Sequence, residues 1–281
     1  CSSDLGMSVD PDDKTPGAIK AFGADIVSYG APVLPGAMFL VSYYQTSQKV
    51  IPILGLPGCV MYAKKTVFDL MLPRILAGEI LTSEDISVYG TLMPAREVGG
   101  DLYDFFVRDE KLFFCIGDVA GNSVESSMAA AMAKAQFRTA SMLHSEPQQI
   151  VEAISQSRNW NEPVTMFAGV MEMTSRMLRF YNAGHDAPVM VGQEITRLED
   201  VSGEIEMAKG TMIYLFNKGV LTAENKDHKQ YGENKMLGAA LQAMKTDARP
   251  EPFVVSIEEN LNKFTGDTQQ EKDIMMLAIK C

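Results

Sequence analysis

Val98-Gly99-Gly100-Asp101-Leu102-Tyr103-Asp104-Phe105-Phe106 and, further on, Ile116-Gly117-Asp118-Val119-Ala120-Gly121 are the two stretches on which the fold turns. Each sets an aspartate beside a glycine at the end of an apolar run, and the two acids, Asp101 and Asp118, lie seventeen positions apart. Short apolar runs bounded by glycine read as strands. Two such strands bring both carboxylates to one sheet edge. There they can hold a hard divalent cation, which takes oxygen ligands, and glycine lets backbone and water come close to it.

Beyond these stretches the pattern predicts strands over residues 111–116, 176–181, 188–191, 212–216 and 274–279. It predicts helices over 124–143 and 251–264. The buried side of the first helix is expected to carry Val124, Met128, Ala131, Ala135 and Met142. Residues 224–234 read as a solvated loop. Strands dominate and helices come in blocks, which predicts an α+β fold with helices packed on sheet faces.

Upstream, residues 6–90 read as an α/β segment. Residues 26–29 and 50–54 are short β-rich runs, and Leu34-Pro35-Gly36 has turn chemistry. After Gly55-Leu56-Pro57-Gly58 a helix is expected, with Val60, Val67, Phe68, Met71, Leu72 and Ile75 on one face, ended or kinked by Pro73. A glycine loop ahead of a helix suits an anion, and an ordinary strand–turn–helix joint reads the same way. The character changes near Tyr89-Gly90, which divides the chain into residues 1–90 and 91–281.

The 281 residues suffice for one large domain or two ordinary ones. A formal net charge of -11 argues against non-specific binding to nucleic acid or anionic lipid. Phosphate chemistry in so acidic a chain needs local positive charge, from a metal or from Lys and Arg. The four cysteines, Cys1, Cys59, Cys115 and Cys281, form no C-x-x-C pair. Cys59 and Cys115 read as buried free thiols, as suits a reducing cytoplasm. The longest apolar stretch, residues 31–44, contains Pro32, Pro35 and Gly36 and is too short to span a bilayer. The first residue is not Met, as expected of a fragment or a processed product, and Cys1-Ser2-Ser3-Asp4-Leu5 carries no structural pattern.

Hydrolysing a phosphoserine takes a nucleophilic water and neutralised phosphate oxygens, and two carboxylate-bridged divalent ions supply both. Met93-Pro94-Ala95-Arg96-Glu97-Val98-Gly99-Gly100-Asp101, Gly117-Asp118-Val119-Ala120-Gly121, Tyr181-Asn182-Ala183-Gly184-His185-Asp186-Ala187-Pro188 and Tyr231-Gly232 follow one another in this order. With them, residues 91–281 resemble the SpoIIE-like branch of the PPM (protein phosphatase 2C-like) serine/threonine phosphatases. The resemblance implies a β-sandwich flanked by helices on both outer faces. It implies a metal-dependent phosphatase, using Mn²⁺ or Mg²⁺, that acts on a phosphorylated regulatory protein such as an anti-sigma-factor antagonist. A homodimer is one assembly it allows. Asp101 and Asp118 match the carboxylates that hold the metal pair, and the carbonyl of Val119 matches a further ligand. Arg96 stands where some members place a phosphate-binding arginine; a surface ion pair with Glu97 is the alternative. Asp101, Asp118 and Arg96 are thus the expected catalytic residues. His185 falls in the family's Ala-Gly-His turn and reads as a structural hydrogen-bonder.

The match departs at two places. Where the family has Thr-Asp-Gly this chain has Asn217-Lys218-Gly219, and where it has Asp-Asp-Ile-Thr this chain has Lys272-Asp273-Ile274-Met275. Lys218 and Lys272 therefore occupy ligand positions. Asp273 is the acid left for the metal there, and along a strand its side chain is expected to point away from the preceding one. If the lysines face the site, they neutralise Asp101 and Asp118 as internal counter-ions; otherwise they point into solvent, as lysines commonly do. The readings are a phosphatase and a pseudophosphatase that binds its partner without turnover.

Ser8-Val9-Asp10-Pro11-Asp12-Asp13-Lys14-Thr15-Pro16-Gly17, Val33-Leu34-Pro35-Gly36-Ala37-Met38 and Leu54-Gly55-Leu56-Pro57-Gly58 resemble the molybdopterin-binding domain of molybdenum-cofactor biosynthesis proteins over about residues 6–85. The resemblance implies a truncated α/β domain, without its first strands, whose glycine loops and acidic cluster hold a pterin phosphate or nucleotide. A molybdopterin-related module is thus a third reading.

Overall fold

The computed structural model describes residues 14–29, 40–46, 49–56, 72, 75–78, 87–121, 123–158 and 160–281. The chain divides into two compact units, Cys1–Asp85 and Ile86–Cys281. In the first, helix α1 (Thr15–Ala21) opens on Pro16, whose missing N–H costs nothing in a first turn. Strands β1 (Asp25–Tyr29), β2 (Leu40–Gln45) and β3 (Val50–Gly55) follow and pair antiparallel in that order. Leu40 and Val41 are buried, and the buried Ser42 hydroxyl donates to the Ile53 carbonyl at 3.0 Å. The described part of this unit is an antiparallel meander with one helix, made from the two expected strands and a third in the apolar run between them. Residues 6–13, 33–38 and 57–60, with most of the expected helix over 60–75, lie outside the described residues.

The second unit contains two five-stranded sheets. In chain order its elements are β4 (Ser87–Met93), β5 (Asp101–Arg108), β6 (Lys111–Val119), α2 (Val124–Leu143), α3 (Pro147–Ser157), β7 (Val164–Glu172), β8 (Met177–Ala183), β9 (Val189–Val191), β10 (Ile195–Arg197), β11 (Ser202–Glu206) and β12 (Met212–Phe216). Then come α4 (Lys218–Thr222), α5 (Gly232–Thr246), α6 (Pro250–Thr265) and β13 (Ile274–Lys280). One sheet has the order β10-β9-β12-β13-β4 and the other β11-β8-β7-β6-β5. Strand β4 thus runs across the boundary expected at residue 90 and pairs antiparallel with β13.

Successive side chains of a strand point to opposite faces, and β6 and β12 are buried at nearly every position, so both sheets are covered on both sides. Helices α2 and α3 lie on β5 to β8, and α5 and α6 lie on β4, β9 and β13. Phe253, Ile257 and Leu261 of α6 pack with Tyr214, Phe216 and Met276 in one core. Phe137 of α2 and Ile150 of α3 pack with Phe106, Phe113 and Met166 in the other. Between the sheets, the Tyr103 hydroxyl donates to the Gly90 carbonyl at 3.1 Å, and the Cys281 and Met171 sulfurs meet at 3.2 Å. The result is the expected helix–sheet–sheet–helix sandwich. Among the described residues no helix is long and apolar enough to cross a membrane.

Two sequence readings need correcting. Residues 232–234, expected in a loop, begin α5. Helix α2 runs over the expected residues but presents a different face. Its buried side is Ser126, Ala129, Ala130, Ala133, Phe137, Ala140 and Ser141, while Val124, Met128 and Met142 are 60% exposed or more. The helix carries apolar residues on two faces, and the larger side chains suggested the wrong one. Alanines let the helix come close to the sheet, and Phe137 fills the remaining space. A reciprocal cap closes its first turn: Ser123 N–H donates to Ser126 Oγ at 2.9 Å, and Ser126 N–H to Ser123 Oγ at 3.3 Å. Urea unfolding tests the assignment. Phe137→Ala is expected to cost about 3–5 kcal/mol, and Met142→Gln to stay within about 0.5 kcal/mol of the parent.

Candidate functional site

Antiparallel register sets Asp101 directly opposite Asp118 on β5 and β6. Like charges in such a pair repel, and both side chains are half-buried. Burial first, then the charges of Asp118 and Asp273, push the Asp101 carboxyl up to about 8. Burial likewise raises Asp118, helped by Asp273 and Asp186 and opposed by Lys272. Glycines give the close approach that the sequence suggested. A side chain on Gly100 would collide with the Val119 carbonyl, and one on Gly99 with the Asp273 carboxylate. The Val119 N–H donates to the Gly100 carbonyl at 3.0 Å, and the Val119 carbonyl crowds Gly100, the neighbour of Asp101.

The other sheet supplies a third element. Asn217, 3% exposed at the end of β12, donates its side-chain N–H to Asp101 Oδ2 and to the Asp273 carbonyl, the latter at 2.7 Å. Its Oδ1 accepts the Met275 N–H at 3.0 Å. Asp273 is 5% exposed, and its Oδ1 accepts the Ala95 N–H at 2.8 Å. It lies close enough to Asp101 and Asp118 to raise both, so it does not simply turn away from them. Gly219 is required because a side chain there would overlap the Asp273 carbonyl.

Both lysines at ligand positions are exposed, and neither makes an ion pair among the described residues. Their charge still reaches the acids. Lys272 opposes the upward shift of Asp118, and Lys218, Arg197 and Lys272 oppose that of Asp186. They are rim charges rather than buried counter-ions. Arg96 is exposed in the loop between β4 and β5, and no ion pair joins it to Glu97. His185 is buried in a turn closed by Asn182. The His185 N–H donates to Asn182 Oδ1 at 2.8 Å, and Asn182 Nδ2 donates to the His185 carbonyl at 3.0 Å. Gly184 carries the positive φ of +78° that this turn demands.

The residues present do not fit a pair of divalent ions. Asp101, Asp118 and the Val119 carbonyl offer hard oxygen, but an amide N–H already occupies Asp101 Oδ2 and two ammonium groups stand at the rim. Among the described residues no group of three or more His, Cys, Asp or Glu is arranged to hold a metal ion. Sequence reasoning missed Asn217 and Asp186. The signal for Asn217 was its place beside Lys218, where a residue able both to donate and to accept replaces threonine. The signal for Asp186 was its place directly after the Gly-His turn.

Burial lowers the His185 pKa from 6.5 to about 4. A histidine depressed in the folded state contributes stability above its unfolded value, and that contribution is lost as pH falls through the folded one. The His185 contribution is therefore expected to be full above about pH 6.5 and to fall away towards pH 4. Nitrogen NMR of the imidazole should show the ring neutral at pH 5; a charged ring there would contradict the buried turn.

Residues 108–281 match the family described as Stage II sporulation protein E (SpoIIE). The phosphoserine phosphatase RsbU of Bacillus subtilis (strain 168) is 21% identical over 166 residues, 52% of this chain and 50% of RsbU. The chain thus spans about half the length of that curated relative. The SiaA-PP2C domain of Pseudomonas aeruginosa has a TM-score of 0.60 at 19% identity, over 74% of this chain and 90% of that one. The structure of RsbX in complex with magnesium has a TM-score of 0.55 at 11% identity, over 72% of this chain and 98% of that one. At such identities the structural likeness speaks for the fold alone. The family match covers more than half of the sequence and takes in Asp118, the Gly-His turn, Lys218 and Lys272: the chain belongs to the SpoIIE family of PPM-type serine/threonine phosphatases.

Proposed function

We propose that this chain is a pseudophosphatase, which binds a phosphorylated regulatory protein and leaves its phosphoserine intact. The observation that carries this reading is the charge at the rim: Lys272 acts on Asp118, and Lys218 and Lys272 act on Asp186. With lysine in place of two ligand carboxylates, the site offers a pair of divalent ions less negative charge and sets two ammonium groups to repel them. Exposed ammonium groups are also ready partners for a phosphoryl group. The kinship with RsbU, a phosphoserine phosphatase, supports a phosphorylated partner-switching protein such as an anti-sigma-factor antagonist, met in the cytoplasm.

A second reading is a metal-dependent serine/threonine phosphatase using Mn²⁺ or Mg²⁺, with Asp101, Asp118, the Val119 carbonyl and Asp273 at the metals and Arg96 on the phosphate. The opposition of Asp101 and Asp118 across β5 and β6 favours it. For residues 1–90 the motifs support a molybdopterin-related module.

Turnover of p-nitrophenyl phosphate in MnCl₂ separates the first two readings. The chain itself is expected to show none, and Lys218→Asp combined with Lys272→Asp to gain Mn²⁺-dependent hydrolysis. Hydrolysis by the unaltered chain would establish the enzyme instead. Lys272→Glu is expected to weaken binding of a phosphoserine peptide by about tenfold, the scale of one exposed charge-assisted contact.

A further inference from the structure

We infer that Asn217 does with a carboxamide what a cation would do at this site: it ties Asp101 to the start of β13 and leaves the site indifferent to metal. The inference concerns the site's architecture and stands whether or not a phosphorylated partner binds.

The geometry is directed at every atom. A carboxamide has two N–H donors and one acceptor oxygen. The Met275 backbone N–H can only donate, so the atom it meets is the oxygen of Asn217, and the amide nitrogen is left facing Asp101 Oδ2 and the Asp273 carbonyl. The Asn217 backbone N–H adds a bond to the Met275 carbonyl at 3.2 Å. One side chain thus joins the acid at the start of β5, in one sheet, to the residues entering β13, in the other. The surroundings are cut to fit: Gly219 makes room for the Asp273 carbonyl, and Gly99 for the Asp273 carboxylate.

An aspartate would not serve here without help. A carboxylate accepts only, so aspartate at this position would turn lone pairs towards Asp101 and the Asp273 carbonyl. A buried charge without a partner is strongly destabilising, and a bound cation would then be needed to bridge the oxygens. Asn217 supplies positive hydrogen where that cation would be. It is a positioning residue: it touches Asp101 and holds the two sheets in register at the site.

Thermal unfolding of the whole chain in EDTA and in millimolar MnCl₂ tests this. The unaltered chain is expected to melt at the same temperature in both. Asn217→Asp is expected to melt about 5 °C or more lower in EDTA and to recover most of that loss in MnCl₂, as a newly made carboxylate cluster takes up the ion. Three results would overturn the inference. They are a Mn²⁺-dependent rise for the unaltered chain, an Asn217→Asp variant as stable as the parent in EDTA, and a destabilised variant that Mn²⁺ does not restore. A variant that folds in neither buffer belongs with the last. The EDTA and MnCl₂ comparison on the unaltered chain decides independently of any variant.

Discussion

Two half-buried carboxylates held face to face by a strand ladder repel each other, and the residues around them answer that repulsion. The β5–β6 register fixes the opposition of Asp101 and Asp118. Relief comes from three sides. Asn217 donates to Asp101 from the facing sheet, Lys272 contributes opposite charge from the rim, and burial favours the protonated form of Asp101. None of the three requires an ion.

The sandwich was legible in the sequence wherever glycine-bounded apolar runs marked strand ends. Residues 212–216 and 274–279 fall within β12 and β13 because a core strand, buried on both faces, leaves little room for polar residues. The rotation of α2 was not legible. A helix with small residues on one side and larger ones on another satisfies a hydrophobic pattern twice, and only contact with the sheet shows that the alanines go inward. The antiparallel pairing of the first unit was not legible either: short β-rich runs do not declare the direction of their neighbours.

The candidate site was half legible. Adjacent glycines point to Asp101 and Asp118 directly, since close backbone approach leaves a mark in composition. Asn217 leaves no such mark. It gains its meaning from Asp101 and Met275, partners 116 and 58 positions away, which only the fold brings near. Asp273 was misjudged for the opposite reason. Strand alternation applies inside a strand, and Asp273 precedes the first residue of β13, so its carboxylate is free to reach the Ala95 N–H.

That last contact has a mechanical side. The loop between β4 and β5 is fastened to the opposite strand through one carboxylate, held by the Ala95 amide and seated over Gly99. Arg96 lies between the two anchor points, and Lys272 is the immediate neighbour of the carboxylate they share. A single buried carboxylate is thus the common footing of the loop that carries Arg96 and of the residue that follows Lys272.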